Sequence, residues 1–210
     1  MRAGKTVVAV LALGFLNACG GSSKEPATAT ATPNVVQPGA PGEPTRKAAP
    51  GTGQSAAPSE ADVEFVQDMI HHHAQAIQMT AWVPDRSAST SVKLLAERMA
   101  ISQQSEIELM QDWLKRQGVP PVDANDHAGH MSMPGMLTQP QLDRLRADSG
   151  RAFDRLFLRY MTHHHRGALT MVHRLRDQGG GNQSDLDAFM RNVEIDQQIE
   201  IDRMQQLLSA

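Results

Sequence analysis

The chain has 210 residues, 40% hydrophobic but only 4% aromatic, with 20 Lys+Arg against 23 Asp+Glu and a formal net charge of −3. A charge so near zero, with no Lys/Arg block, excludes nucleic acid as an expected partner. Twelve Met and nine His against a single Cys leave no internal disulfide and describe a core short of rings and rich in soft ligands.

The chain opens on a basic head, Met1-Arg2-Ala3-Gly4-Lys5, followed by an apolar run from Thr6 to Leu16 that is too short to span a bilayer as a mature helix. The run ends in Leu16-Asn17-Ala18-Cys19, which looks like the lipobox of bacterial lipoproteins, cut before a cysteine that is then lipidated. Residues 1–19 are therefore expected to be a signal peptide with lipobox, Cys19 the lipidation site, and the mature chain a membrane-anchored protein outside the cytoplasm, periplasmic or at the cell surface. Residues 20–58 are Ala, Pro, Thr, Gly and Ser with few large apolar side chains. Such a composition cannot offset ordering entropy and reads as a disordered tether with a reach of roughly 35 Å.

Residues 59–209 suffice for one domain with a proper core. Ser59-x-x-Asp62, Thr138-Gln139-Pro140-Gln141 and Ser184-x-x-Asp187 are helix starts; Pro84, Gly118-Val119-Pro120-Pro121 and Gly179-Gly180-Gly181 are stops. Helices are expected near 59–83, 88–117, 138–178 (broken at Ser149-Gly150) and 184–209, with no sustained period-two alternation. The expected fold is all-α: a four-helix bundle of two helical hairpins, 59–117 and 138–209, joined by a linker over 118–137.

The hairpins are duplicates. Phe65, Met69, the triplet His71-His72-His73, Ala76 and Met79 return in register as Phe157, Met161, His163-His164-His165, Ala168 and Met171. In the second helices Ile101, Gln103, Glu106, Ile107 and Met110 return as Ile195, Gln197, Glu200, Ile201 and Met204. Spacings of four and three put Phe65, Met69, His72, Ala76 and Met79 on one inward seam, and their counterparts on another. Each hairpin thus projects His, Gln, Glu and Met toward the bundle axis.

Buried Glu and Gln are costly unless paired or coordinated. One reading pairs His72 with Glu106 and His164 with Glu200 by hydrogen bonds, the Met residues being core filler. The other makes Met69, His72, His73, Met79 and Met161, His164, His165, Met171 ligands of a soft metal, with Gln103, Glu106, Gln197 and Glu200 behind them holding the imidazoles. His71 and His163 fall on the outer flank and are expected to be solvated, and His173 to be a surface residue. The linker adds His127, His130, Met131, Met133 and Met136 within ten residues, where loop Met has no core to fill. Mixed imidazole and thioether suits Cu(I) and Cu(II); silver(I) fits thioethers, and zinc would need carboxylates from elsewhere.

Met133-Pro134-Gly135-Met136, Gly150, Phe153-Asp154-Arg155-Leu156-Phe157-Leu158, Met161, His164-His165, Gly167-Ala168 and Met171 closely resemble the bacterial family called domain of unknown function three-zero-five. The first repeat and the Gln103/Glu106/Met110 helix fit it too. The resemblance spans roughly residues 59–209 and implies a ferritin-like bundle, with copper binding and copper tolerance outside the cytoplasm. His71 and His163 depart from it, standing where the family often has Pro.

The expected function is copper buffering, chaperoning or tolerance without catalysis. The contrasting reading is a structural or partner-binding bundle whose His–Glu pairs only stabilise the core. A ferritin-like oxidase is disfavoured, because the chain has no Glu-x-x-His pair. Metal ion and membrane are the expected partners, and a metal-exchange protein or a second copy of the chain would be compatible.

Overall fold

A computed structural model describes residues 57–124 and 133–210, together with the backbone of residues 36–37 and 46–47. Cys19, His127, His130 and Met131 lie outside the described residues. The chain divides into two units, Met1–Gly51 and Thr52–Ala210. In the first, β1 (Val36–Gln37) pairs antiparallel with β2 (Arg46–Lys47). These four residues depart from the structureless tether expected there, although two-residue strands add little stability of their own.

The second unit is helical throughout its regular structure. It contains α1 (Glu60–Thr80), α2 (Val83–Arg86), α3 (Thr90–Arg116), α4 (Gln139–Ala147), α5 (Gly150–Asp177) and α6 (Ser184–Ser209). Each boundary has a chemical cause. The Ser59 hydroxyl accepts the Asp62 N–H at 3.1 Å while the Asp62 carboxylate accepts the Ser59 N–H at 2.9 Å, a complete capping box. Thr138 and Gln141 form another at the start of α4. α1 stops at Thr80, short of Pro84, which sits instead in the first turn of α2. At α6 the cap is Gln183, not Ser184, and its side chain makes no capping bond. Asp62 also accepts the Gly181 N–H at 2.6 Å, fastening the α5–α6 turn to the start of α1.

The four long helices form an all-α four-helix bundle in which α1 packs chiefly on α3, α5 on α6, and α1 on α5. One apolar cluster joins Ala76 and Met79 to Phe153, Phe157 and Met161; the other joins Phe65 and Met69 to Ala168, Met171 and Leu175. α1 and α5 therefore run antiparallel. The start of α3 likewise shares a cluster with Ile201 and Met204 near the end of α6, and its end shares one with Leu186 and Met190. With few rings, the core is filled by thioethers: Met69, Met79, Met99, Met161 and Met204 are fully buried. Each contributes about 1.5–3 kcal/mol of transfer free energy.

Both ends of the linker are fastened to the first hairpin by a glutamine amide. Gln111 Nε2 donates to the Val122 carbonyl at 2.7 Å, and the Val122 N–H donates back to Gln111 Oε1 at 3.1 Å. Gln75 does the same for Leu137, at 3.0 and 2.7 Å, fully buried.

Candidate metal site

The two apolar clusters are separated by a polar layer at mid-bundle. On α1 the layer is His72 and His73, between Met69 and Ala76; on α5 it is His164 and His165, between Met161 and Ala168. α3 supplies Gln103 and Glu106, and α6 supplies Gln197 and Glu200. All four histidines are at most 1% exposed, and Gln103 and Gln197 are 2% and 3% exposed.

Within the layer the consecutive histidines divide their work. His72 and His164 meet across the two hairpins with ring centroids 3.8 Å apart. His73 and His165 turn back into their own hairpins, where His73 Nε2 lies 2.5 Å from Glu106 Oε2 and His165 Nε2 lies 2.7 Å from Glu200 Oε2. This corrects the pairing of His72 with Glu106 and His164 with Glu200. The reason is helical geometry: a step of about 100° takes the third His of each triplet off the α1–α5 seam and onto the adjacent α3 or α6.

Burial sets the charge of the central pair. His72 is pushed down to about 3 by loss of solvation, with His73 adding to the shift. His164 is lowered well below its ordinary value by burial and then by His72 and His165. Both are neutral at physiological pH. The Pro134 carbonyl can only accept, and it lies 3.0 Å from His72 Nε2. Nε2 therefore carries the proton and Nδ1 the lone pair. Among the described residues that Nδ1 is buried with no hydrogen-bond partner, as are the Nδ1 atoms of His73 and His165 and both amide atoms of Gln103.

The linker end makes two further corrections. His71, expected to be solvated, is 4% exposed. It shares a helical face with Gln75, one turn on, and Gln75 holds Leu137 against that face. Met136 is 7% exposed and Met133 packs against the apolar cluster around Phe65, so these loop methionines do fill core space. The segment fits because Gly135 (φ +80°) backs onto Gly167: a Cβ on Gly135 would come 2.7 Å from Gly167 Cα and from the His164 carbonyl. His163 is exposed, and so is His173, with a ring nitrogen 3.7 Å from Glu194.

Met69, Met79 and Met161 are buried in the clusters flanking the layer, and Met171 is 7% exposed. Among the described residues, no three His, Cys, Asp or Glu side chains gather in a geometry that would hold a metal ion. Asp196 was not visible to sequence reasoning, since the first repeat has Ser102 at its place. Its acidity is weakened by burial and then by Glu106 and Glu200, which marks an acidic rim on the α3–α6 side of the layer.

Residues 62–208 match the family described as Domain of unknown function (DUF305). The chain belongs to this family. A DUF305 fragment from Deinococcus radiodurans is 30% identical with a TM-score of 0.65, covering 72% of this chain and 97% of that one. CopM in its Cu(II)-bound form is 28% identical with a TM-score of 0.59, covering 70% and 95%, and similar structures hold CopM with Cu(I) and with silver. An uncharacterized protein of Acanthamoeba polyphaga mimivirus is 41% identical over 49 residues, which is 23% of this chain and 32% of that protein. No helix among the described residues is long and apolar enough to cross a membrane.

Proposed function

We propose that this DUF305 protein binds copper outside the cytoplasm, as a buffer or chaperone anchored through Cys19, with its buried sites centred on the His72–His164 pair. The observation that carries this reading is two neutral imidazoles in contact, with His72 Nδ1 buried and without a hydrogen-bond partner among the described residues. A buried polar atom left unpaired costs about 1–3 kcal/mol. Metal ligation removes that cost, and the Pro134 carbonyl already holds the tautomer that leaves His72 Nδ1 free to ligate. Because no proton must leave, binding needs no ionisation of the pair. The flanking thioethers of Met69 and Met161 are the soft donors nearest in sequence, which favours Cu(I) or silver(I) over zinc.

His73–Glu106 and His165–Glu200 support the other reading in part, since each Glu partners one ring nitrogen, Nε2, without metal. It leaves the central pair unexplained. Titrating the full chain with Cu(I) against a competing chelator separates the two. Copper binding is expected to raise the melting temperature and to weaken strongly in a His72→Gln, His164→Gln variant. Unchanged binding in that variant, or none in the parent, would sink the proposal for the pair.

A further inference from the structure

We propose that a second, outer soft-metal site lies in the groove between α1 and α5, where Met133 and Met171 face a common cavity and receive Cu(I) before it reaches the His72–His164 pair. This rests on the copper-binding reading above. The cavity is about 200 Å³ and open to solvent, and it is walled by Glu64, Asp68, Met133, Pro134, Met171 and Arg174 among others. Its thioethers come from separate elements, Met133 from the returning linker and Met171 from α5, so the site exists only when the linker is docked.

Electrostatics and chemistry agree. Glu64 and Asp68 stand one helical turn apart and place their carboxylates on the same cavity wall as the Arg174 guanidinium. The carboxylates attract any cation, whereas the thioethers retain only soft ones. Since thioethers do not titrate, the site holds its donors at any physiological pH.

Position makes it an antechamber. Pro134 is one wall of the cavity, and its carbonyl accepts the hydrogen bond from His72. Asp68 lies four residues before His72, and Met171 lies seven residues after His164. These spacings are about 6 Å and 10 Å along their helices. Transfer inward is a ligand exchange: Cu(I)–thioether bonds break as a bond forms to an imidazole lone pair. Copper keeps its oxidation state and no proton moves.

Silver(I) is a diamagnetic probe for the test, applied to the full chain carrying isotope-labelled methionine methyl groups. The Met133 and Met171 methyl resonances are expected to shift on adding Ag(I), and to shift still in the His72→Gln, His164→Gln variant. A Met133→Leu, Met171→Leu variant preserves volume and is expected to hold one fewer Cu(I) ion against the chelator. A Met99→Leu control, in the buried core, is expected to change nothing. Unmoved Met133 and Met171 resonances, with copper stoichiometry unchanged in the double-Leu variant, would overturn the outer site while leaving the His pair standing. Failure of the parent to bind either ion would instead overturn the function itself.

Discussion

The two hairpins share a sequence pattern but not an environment, and the linker is what divides them. Both carry a His triplet, an inward Gln–Glu turn and a His–Glu pair of nearly equal length, 2.5 Å in the first and 2.7 Å in the second. They differ where the linker returns. Gln75 in the first repeat and Gly167 in the second occupy equivalent positions. The first grips Leu137 by two hydrogen bonds, and the second clears the space that Pro134 and Gly135 fill. The linker end lies beside the buried His71, whose counterpart His163 is exposed, and it gives His72 the Pro134 carbonyl as a backbone acceptor. A duplicated bundle has thus become asymmetric at its centre through one loop, so the two central imidazoles have different surroundings.

The largest test addresses what the halves have in common, a neutral buried imidazole apiece. Their folded-state acidities lie below the ordinary histidine value, so the unfolded chain takes up protons first as pH falls. The stability that His72 contributes is complete above about pH 6.5 and is lost progressively toward its folded value of about 3. Between pH 7 and pH 5 the metal-free protein should lose about 2 kcal/mol through His72 alone. His164 acts in the same direction. Denaturant titrations at the two pH values read this loss. His73, His165 and the exposed His163 also face the pair, and Glu106 and Glu200 answer the first two. A His72→Gln, His164→Gln variant isolates the pair by flattening the pH dependence; an unchanged slope would mean the pair is not neutral in the fold.

Breaking the asymmetry itself comes next. Gly167→Ala drives a methyl group into the Pro134 carbonyl, an overpacking that should cost about 1–3 kcal/mol. Gln75→Ala strips both partners from the buried Leu137 peptide groups, for a loss of similar size. In each case thermal melting should fall roughly 2–4 °C per kcal/mol. If both variants melt like the parent, the linker end is not held as described, and the contrast between the halves disappears.

Much of the architecture was legible from local chemistry. Capping boxes at Ser59 and Thr138 and the glycine stops mark helix ends, whereas Pro84 opens α2 instead of ending α1, and spacing of four and three set the inward seam. Which His meets which Glu was not legible. Adjacent helical residues differ by about 100°, so choosing between His72 and His73 requires knowing that α5, and not only α3, packs on α1. The docked linker was hidden for a related reason. Gln75 on a helix and Gly135 in a loop acquire meaning only when tertiary contact brings residues 62 positions apart, such as Gln75 and Leu137, to within a hydrogen bond. The resemblance carried the glycines as a motif without saying what they touch.

A smaller effect is expected at the other end of the linker. Gln111 holds Val122 with the same two-bond geometry that Gln75 uses on Leu137, but the site is only partly buried. Water can replace the lost partners, so Gln111→Ala should cost less than Gln75→Ala, at most about 1 kcal/mol. Equal losses would show that the two clamps act as one unit, which a double variant would reveal as non-additive.

The smallest expected change sharpens the division of roles within each triplet. His163 and His173 are both exposed on α5, and His173 meets Glu194 only at 3.7 Å. Replacing either by Ala should shift stability by no more than about 0.5 kcal/mol. Copper affinity should also stay unchanged, because neither ring joins the buried pair. A loss of chelator-competing copper in His163→Ala would mean that the first His of a triplet ligates too. The exposed flank of α5 would then belong to the site, and burial in the polar layer would no longer be what distinguishes the ligands.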